Sequence, residues 1–171
     1  MNVTIRKAEL SDAQGMIEVL NPIIRQGGLT LMTECWDEKA QTAYLRDFPK
    51  KGVFLVALNE DKRLVGMQGV EPWSDLEAFA HVGDISTFVA LDCWGEGIGK
   101  KLAKTLFLQA ATVGFRKLMA LVRGDNPAAQ SFYKSIGFVE VGCLKEQALL
   151  EGRYVDEVLL ERSLVEPQAL A

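Results

Sequence analysis

Glycine recurs at alternate positions in Trp94-Gly95-Glu96-Gly97-Ile98-Gly99, and Lys100 and Lys101 follow before an apolar pattern of helical period begins. A glycine-rich turn feeding a helix leaves backbone N–H groups unpaired at the positive end of the helix dipole, a seat for an anion. Two phosphate loops can be tested against it. A P-loop needs G-x-x-x-x-G-K-[ST]; here Trp94 falls at its first glycine and Lys101 at its Ser or Thr. The dinucleotide turn G-x-G-x-x-G fails as well, because Lys100 or Leu102 takes its third glycine, depending on register. In that fold the glycine turn also follows the first strand, whereas three strands are expected to precede it here.

The elements around the loop follow from hydrophobic period. VTIR alternates as a half-buried strand, and SDAQGMIEVL opens with cap-type residues and continues helically to about Leu20. Asn21-Pro22-Ile23-Ile24 to Gly28 is expected to break that helix into a loop. Asp37 is placed to cap a second helix ending before Pro49. VFLVAL, NEDK and RLVGMQGVE form a strand, a turn and a strand, and AHVGDISTFVAL is a third, longer strand running into the glycines. Ile98, Leu102, Leu106 and Ala110 recur every four residues, so the next helix is amphipathic. KLMALV is a strand; PAAQSFYKSIGF is a helix with Pro127 at its start and Gly137 at its end; VEVGC and YVDEVLLERS close the chain as paired strands. The fold class is therefore α/β of the α+β type. Its sheet is largely antiparallel, with one parallel strand–loop–helix–strand unit at the centre. One domain over residues 1–165 is expected, with a frayed tail at 166–171.

Bulk properties exclude several function classes. With 171 residues, 49% hydrophobic, and a net charge of −4 spread along the chain, no basic stripe suggests nucleic-acid binding. No run approaches the roughly 18 apolar residues of a membrane span, and the N-terminus lacks a secretory signal. Cys35, Cys93 and Cys143 are scattered, His81 is the one histidine, and no C-x-x-C occurs. A disulfide framework and a structural metal site are not expected, and a cytoplasmic location is.

In this order, the motifs resemble the GNAT superfamily of acyl-CoA-dependent N-acetyltransferases. The family's loop [QR]-x-x-G-x-[GA] resembles Trp94 to Gly99, and its N-x-x-A-x-x-x-Y-x-x-x-G-F helix resembles Asn126, Ala129, Tyr133, Gly137 and Phe138. IRKAELSDA and GRYVDEVLLER resemble its first and last segments. The stretch GDISTFV, with Asp84 at a family glutamate, is similar to the phosphinothricin acetyltransferase (PAT-like) branch; NPII and EPW point the same way. Trp94 departs from the pattern, standing where the family has Gln or Arg.

The resemblance implies acetyl-CoA as co-substrate and no metal. Pyrophosphate is expected over Gly95, Glu96, Gly97, Ile98, Gly99 and Lys100, beside Trp94. The pantetheine arm is expected on the strand edge at Phe88, Val89 and Leu91, with Asn126 nearby. Tyr133 is implied as the acid that meets the leaving sulfur; from a tyrosine near pKa ~10 to a thiol near ~8.5 the transfer is uphill by ~2 kcal/mol. Asp84 is implied as the base, directly or through water, with His81 and Glu34 in reserve. The acceptor is expected to be a primary amine of a small molecule: an amino acid, an amino-acid analogue or a related amine. A protein N-terminus or lysine is one alternative; a non-catalytic CoA-binding module is another, and a Cys93–His81 hydrolase a third. NPIIRQGG and EPWSDLEAF are expected to border the acceptor, and the last strand to support a homodimer.

Overall fold

In a computed structural model of the chain, residues 1–165 are described, so the expected tail at 166–171 lies outside the described residues. The strands are β1 (Thr4–Lys7), β2 (Val53–Leu58), β3 (Leu64–Pro72), β4 (Val82–Val89), β5 (Lys117–Arg123), β6 (Val139–Leu150) and β7 (Arg153–Ser163). The α-helices among the described residues are α1 (Ala13–Gln26), α2 (Glu38–Asp47), α3 (Ile98–Thr112) and α4 (Pro127–Ser135). The strands form one sheet in the order β1-β2-β3-β4-β5-β7-β6. Every pairing is antiparallel except β4 with β5. None of the described helices is long and apolar enough to cross a membrane.

The expected parallel unit is present, and its pairing is short. β4 meets β5 only at Val82, Gly83 and Asp84, opposite Lys117, Leu118 and Met119. Past Asp84 the two strands part, which leaves a fork open in the middle of the sheet.

Side-chain alternation assigns the two faces of that fork. Gly66 and Gln68 stand opposite Val89 and Thr87, and a Cβ on Gly66 would strike Ile98 of α3. Ile85 and Thr87 therefore point to the α3 and α4 face, and Asp84 and Ser86 to the α1 and α2 face. On the first face, Ile98, Leu102, Leu106 and Ala110 are all buried, as their spacing predicts.

Two expectations are corrected. The first helix does not stop near Leu20; it runs through Pro22 to Gln26. An internal proline costs about 3 kcal/mol through a lost hydrogen bond and a clash. Burial of Ile23 and Ile24, roughly 1.5–3 kcal/mol each, offsets that cost. Asn21 also serves within the helix: its Nδ2 donates to Trp36 O at 2.8 Å and its Oδ1 accepts from Trp36 N at 2.9 Å. This clasp fixes the connection from α1 to α2. The second correction is β6, which extends well past VEVGC to Leu150. Register shifts after Glu140 and Leu144 interrupt its alternation, which hides its length from a period-2 reading.

Candidate active site

A cleft of about 360 Å³ runs from the glycine loop to the fork. Its walls include Thr87, Phe88 and Val89 of β4, Trp94 to Lys100 without Glu96, and Asn126, Ala129 and Phe132 from the start and middle of α4. The three glycines divide their work. Gly95 (φ +83°) and Gly97 (φ +75°) hold left-handed conformations, and a Cβ on either would stand in open space. Gly99 is different: it lies in α3, where a Cβ would come within 2.8 Å of the Phe132 ring. It lets α3 and α4 approach. Lys101 N is bonded to Gly97 O, so the amides of residues 98–100 precede the helical ladder beside the cleft.

Trp94 explains its own departure. Its Nε1 donates to Val89 O at 2.9 Å, tying the loop back to the end of β4, while the indole, 47% exposed, lines the cleft. Two expected residues do not line it. Leu91 packs toward the core, and Glu96 pairs with the Met1 ammonium at 2.8 Å. Lys101 donates to Met1 O at 2.6 Å, whereas Lys100 lines the cleft.

Asn126 caps α4, its Oδ1 accepting from Ala129 N at 3.0 Å, and its Nδ2 donates to Leu29 O at 3.2 Å. It thereby joins α4 to the connection between α1 and α2. Two turns later in sequence, Tyr133 sends its ring into the core, 6% exposed. Its Oη lies 3.4 Å from Ile85 O and 3.2 Å from Thr87 Oγ1, at the fork. Gln68 Nε2 donates to Thr87 Oγ1 at 2.8 Å, which leaves the threonine hydrogen free to point at the phenol. Burial pushes Tyr133 up to about 12, the Thr87 bond opposes this, and Asp84 adds to it.

Asp84 sits on the other face. It stands opposite Glu71 on β3 and Met119 on β5. Its side chain is reached by solvent. Its pKa is pushed up to about 6 by desolvation, then by Glu71 and Glu157; the Ile85 backbone bond opposes the rise. Glu71 itself accepts from Tyr44 Oη. Tyr44 belongs to an edge-to-face aromatic cluster with Trp36, Phe48 and Phe54, and burial and the Glu71 carboxylate raise its pKa. Glu157 is buried and shifted upward by that burial.

The reserve candidates lie elsewhere. The His81 and Glu34 side chains are exposed, and His81 contributes its backbone carbonyl to Arg116 N and Lys117 N. Cys93 does line the cleft, but burial and then Asp92 push its thiol upward, which disfavours the thiolate a hydrolase would need. No group of three metal-ligating side chains occurs among the described residues. Reading the sequence missed Gln68, Thr87 and Glu157, which strand register places in the sheet at the fork, and Tyr44, which α2 brings against Glu71.

A model described as the acetyltransferase (GNAT) family matches residues 22–138. The chain belongs to that family. It is an acyltransferase, an acetyl-CoA-dependent N-acetyltransferase of the GNAT kind. It is 25% identical over 165 residues to the phosphinothricin N-acetyltransferase of Streptomyces coelicolor, covering 95% of this chain and 96% of that one. It is 23% identical over 171 residues to the L-amino acid N-acyltransferase MnaT of Escherichia coli, covering 98% and 99%. Its fold matches a GNAT superfamily phosphinothricin acetyltransferase of Sinorhizobium meliloti solved in complex with AcCoA, with a TM-score of 0.88 and 22% identity. That match covers 98% of this chain and 94% of the other.

Proposed function

We propose that this GNAT enzyme acts as a single domain over residues 1–165 and acetylates a primary amine of a small molecule: an amino acid, an amino-acid analogue or a related amine. The observation that carries this is the fork. Tyr133 Oη reaches it from one face of the sheet, Asp84 stands on the other, and one cleft leads there from the glycine loop. The names of the relatives, a phosphinothricin N-acetyltransferase and an L-amino acid N-acyltransferase, support a small acceptor. Exposed Val139, Val141, Leu149 and Tyr154 on β6 and β7 support pairing with a second copy.

The cleft suits acetyl-CoA. Bound, that molecule supplies an acetyl group activated as a thioester. The amides of residues 98–100 and Lys100 would hold its pyrophosphate, with Gly95 and Gly97 leaving room for it. Phe88 and Val89 would border the pantetheine arm, and Asn126 would stand beside it.

Asp84 receives the proton that the acceptor ammonium must lose before nitrogen can attack. Near 6 it is a better base than an ordinary aspartate, yet far below an alkylammonium near ~10, so a water relay and an acceptor of lowered pKa both help. Tyr133 Oη donates a hydrogen bond at the fork, where charge develops on the leaving sulfur. Complete transfer from a phenol near 12 to a thiolate near ~8.5 climbs about 5 kcal/mol. The phenol therefore acts chiefly as a hydrogen-bond donor, with Thr87 supporting its oxygen.

The test pairs calorimetry with a rate assay. Acetyl-CoA should bind the wild type, and a panel of small amines should release free thiol. Gly97→Ala places a methyl group in the cleft and should weaken acetyl-CoA by about a hundredfold, because left-handed strain and lost backbone approach add. Unchanged affinity in that variant would remove the loop from the cofactor's seat.

A further inference from the structure

We infer that Gln68 is a positioning residue for the transfer: it fixes the direction of a chain of hydrogen bonds, so that the Tyr133 hydrogen is offered to the fork. This rests on the role of Tyr133 proposed above and extends it to a side chain that reaches the phenol through Thr87. Gln68 lies midway along β3, opposite Thr87 of β4 on one side and Leu55 of β2 on the other. It is 1% exposed. Thr87 lines the cleft, and Gln68 bonds it from the buried side.

The contacts themselves give the direction. Gln68 Nε2 donates to Thr87 Oγ1 at 2.8 Å. Tyr133 Oη lies 3.2 Å from that Oγ1 and 3.4 Å from Ile85 O. A carbonyl can only accept, so the phenol hydrogen goes to Ile85 O, and the Thr87 hydrogen fills the contact between the two hydroxyls. A hydroxyl that accepts an amide N–H becomes a stronger donor in its turn. The Thr87 bond also lowers the Tyr133 pKa, as donation to the phenol oxygen does. The chain therefore runs one way, from Gln68 through Thr87 and Tyr133 to the fork. Ile85 follows Asp84, where β4 and β5 part. The Tyr133–Ile85 bond is long for an O–H donor and is readily exchanged for a sulfur that gathers charge. Without Gln68, the phenol would be the one donor left to Thr87 Oγ1 among the described residues. Its hydrogen would then turn to Thr87 and away from the sulfur.

Stability does not account for Gln68. Its Oε1 is buried and has no hydrogen-bond partner among the described residues. Such an orphaned acceptor costs free energy, and an unbranched apolar side chain would fill the space without one. The half of the amide that is satisfied is the half that reaches the reacting tyrosine.

Gln68→Met, Thr87→Val and the double variant test this. The measurements are melting temperature, acetyl-CoA calorimetry, and thiol release at saturating acetyl-CoA on glycine, L-methionine and 1-aminobutane. Gln68→Met should melt at or above the wild type and bind acetyl-CoA equally well. Its kcat on the best of the three amines should fall by about twentyfold, with little change in KM. That loss should exceed the loss in Thr87→Val, because a threonine deprived of its donor competes for the phenol hydrogen and a valine cannot. Removing the competitor should then restore activity, so the double variant should return to the Thr87→Val rate, above Gln68→Met alone. Gln68→Leu should repeat the pattern. A wild-type kcat in Gln68→Met, or losses that add in the double variant, would overturn the inference and leave acetyl transfer to a small amine standing. Acetyl-CoA binding by the wild type without thiol release on any of the three amines would overturn both.

Discussion

The two faces of the sheet at the β4–β5 fork solve opposite problems. On the α3 and α4 face, polar groups are bonded to one another: Gln68 to Thr87, Thr87 to Tyr133, Asn126 to Ala129 and Leu29. That face is set before any ligand arrives. On the α1 and α2 face, carboxylates crowd together, and Asp84 is raised to about 6 by desolvation and by its neighbours Glu71 and Glu157. One face is preorganised by hydrogen bonds; the other concentrates carboxylates beside Asp84. The fold can carry such a local conflict because a rigid sheet fixes both.

Tyr133→Phe should produce the largest effect on this contrast. It removes the donor at the fork, and kcat should fall by about a hundredfold while acetyl-CoA affinity changes little. Calorimetry with steady-state kinetics separates the two, and an unchanged kcat would remove the bonded face from the reaction. Thr87→Val should cost less, lowering kcat by about fivefold, the worth of one hydrogen bond to the phenol. Its effect should vanish in the Tyr133→Phe background; full additivity would mean Thr87 acts elsewhere.

The charged face should reveal itself in stability. The folded pKa of Asp84 lies above its unfolded value, so the native state binds more protons between pH 4 and 6. Stability is therefore lost as pH rises through that window. Asp84→Asn lacks this penalty and should melt higher than the wild type at pH 7, with the difference closing by about pH 4. A lower Tm at pH 7 would show that Asp84 makes a stabilising contact instead.

How much of this the sequence reveals differs between the faces. The glycine loop, the four-residue period of α3, and the Asn126–Tyr133 helix are local patterns, and each appears where its spacing predicts. Pro22 misleads because the cost of a local break is smaller than the gain from burying Ile23 and Ile24. β6 is cut short because its bulges scramble alternation. Glu71, Asp84 and Glu157 lie on three strands far apart in sequence, and only the registers β3–β4, β4–β5 and β5–β7 bring them together. Asp84 is recognised early through its resemblance to a family glutamate; its acidic neighbours have no local signature.

The most direct test of the fork is the pH dependence of kcat in the wild type and in Asp84→Asn. Glu71 and Glu157 act on Asp84 from its own face, Tyr44 is bonded to Glu71, Tyr133 meets the fork from the other face, and Arg123 is paired with Asp125. Deprotonation of Asp84 should give the wild type an acid limb with a midpoint near pH 6, rate rising with pH. In Asp84→Asn that limb should disappear and the remaining rate should be lower throughout. The same limb at the same midpoint in Asp84→Asn would contradict the account.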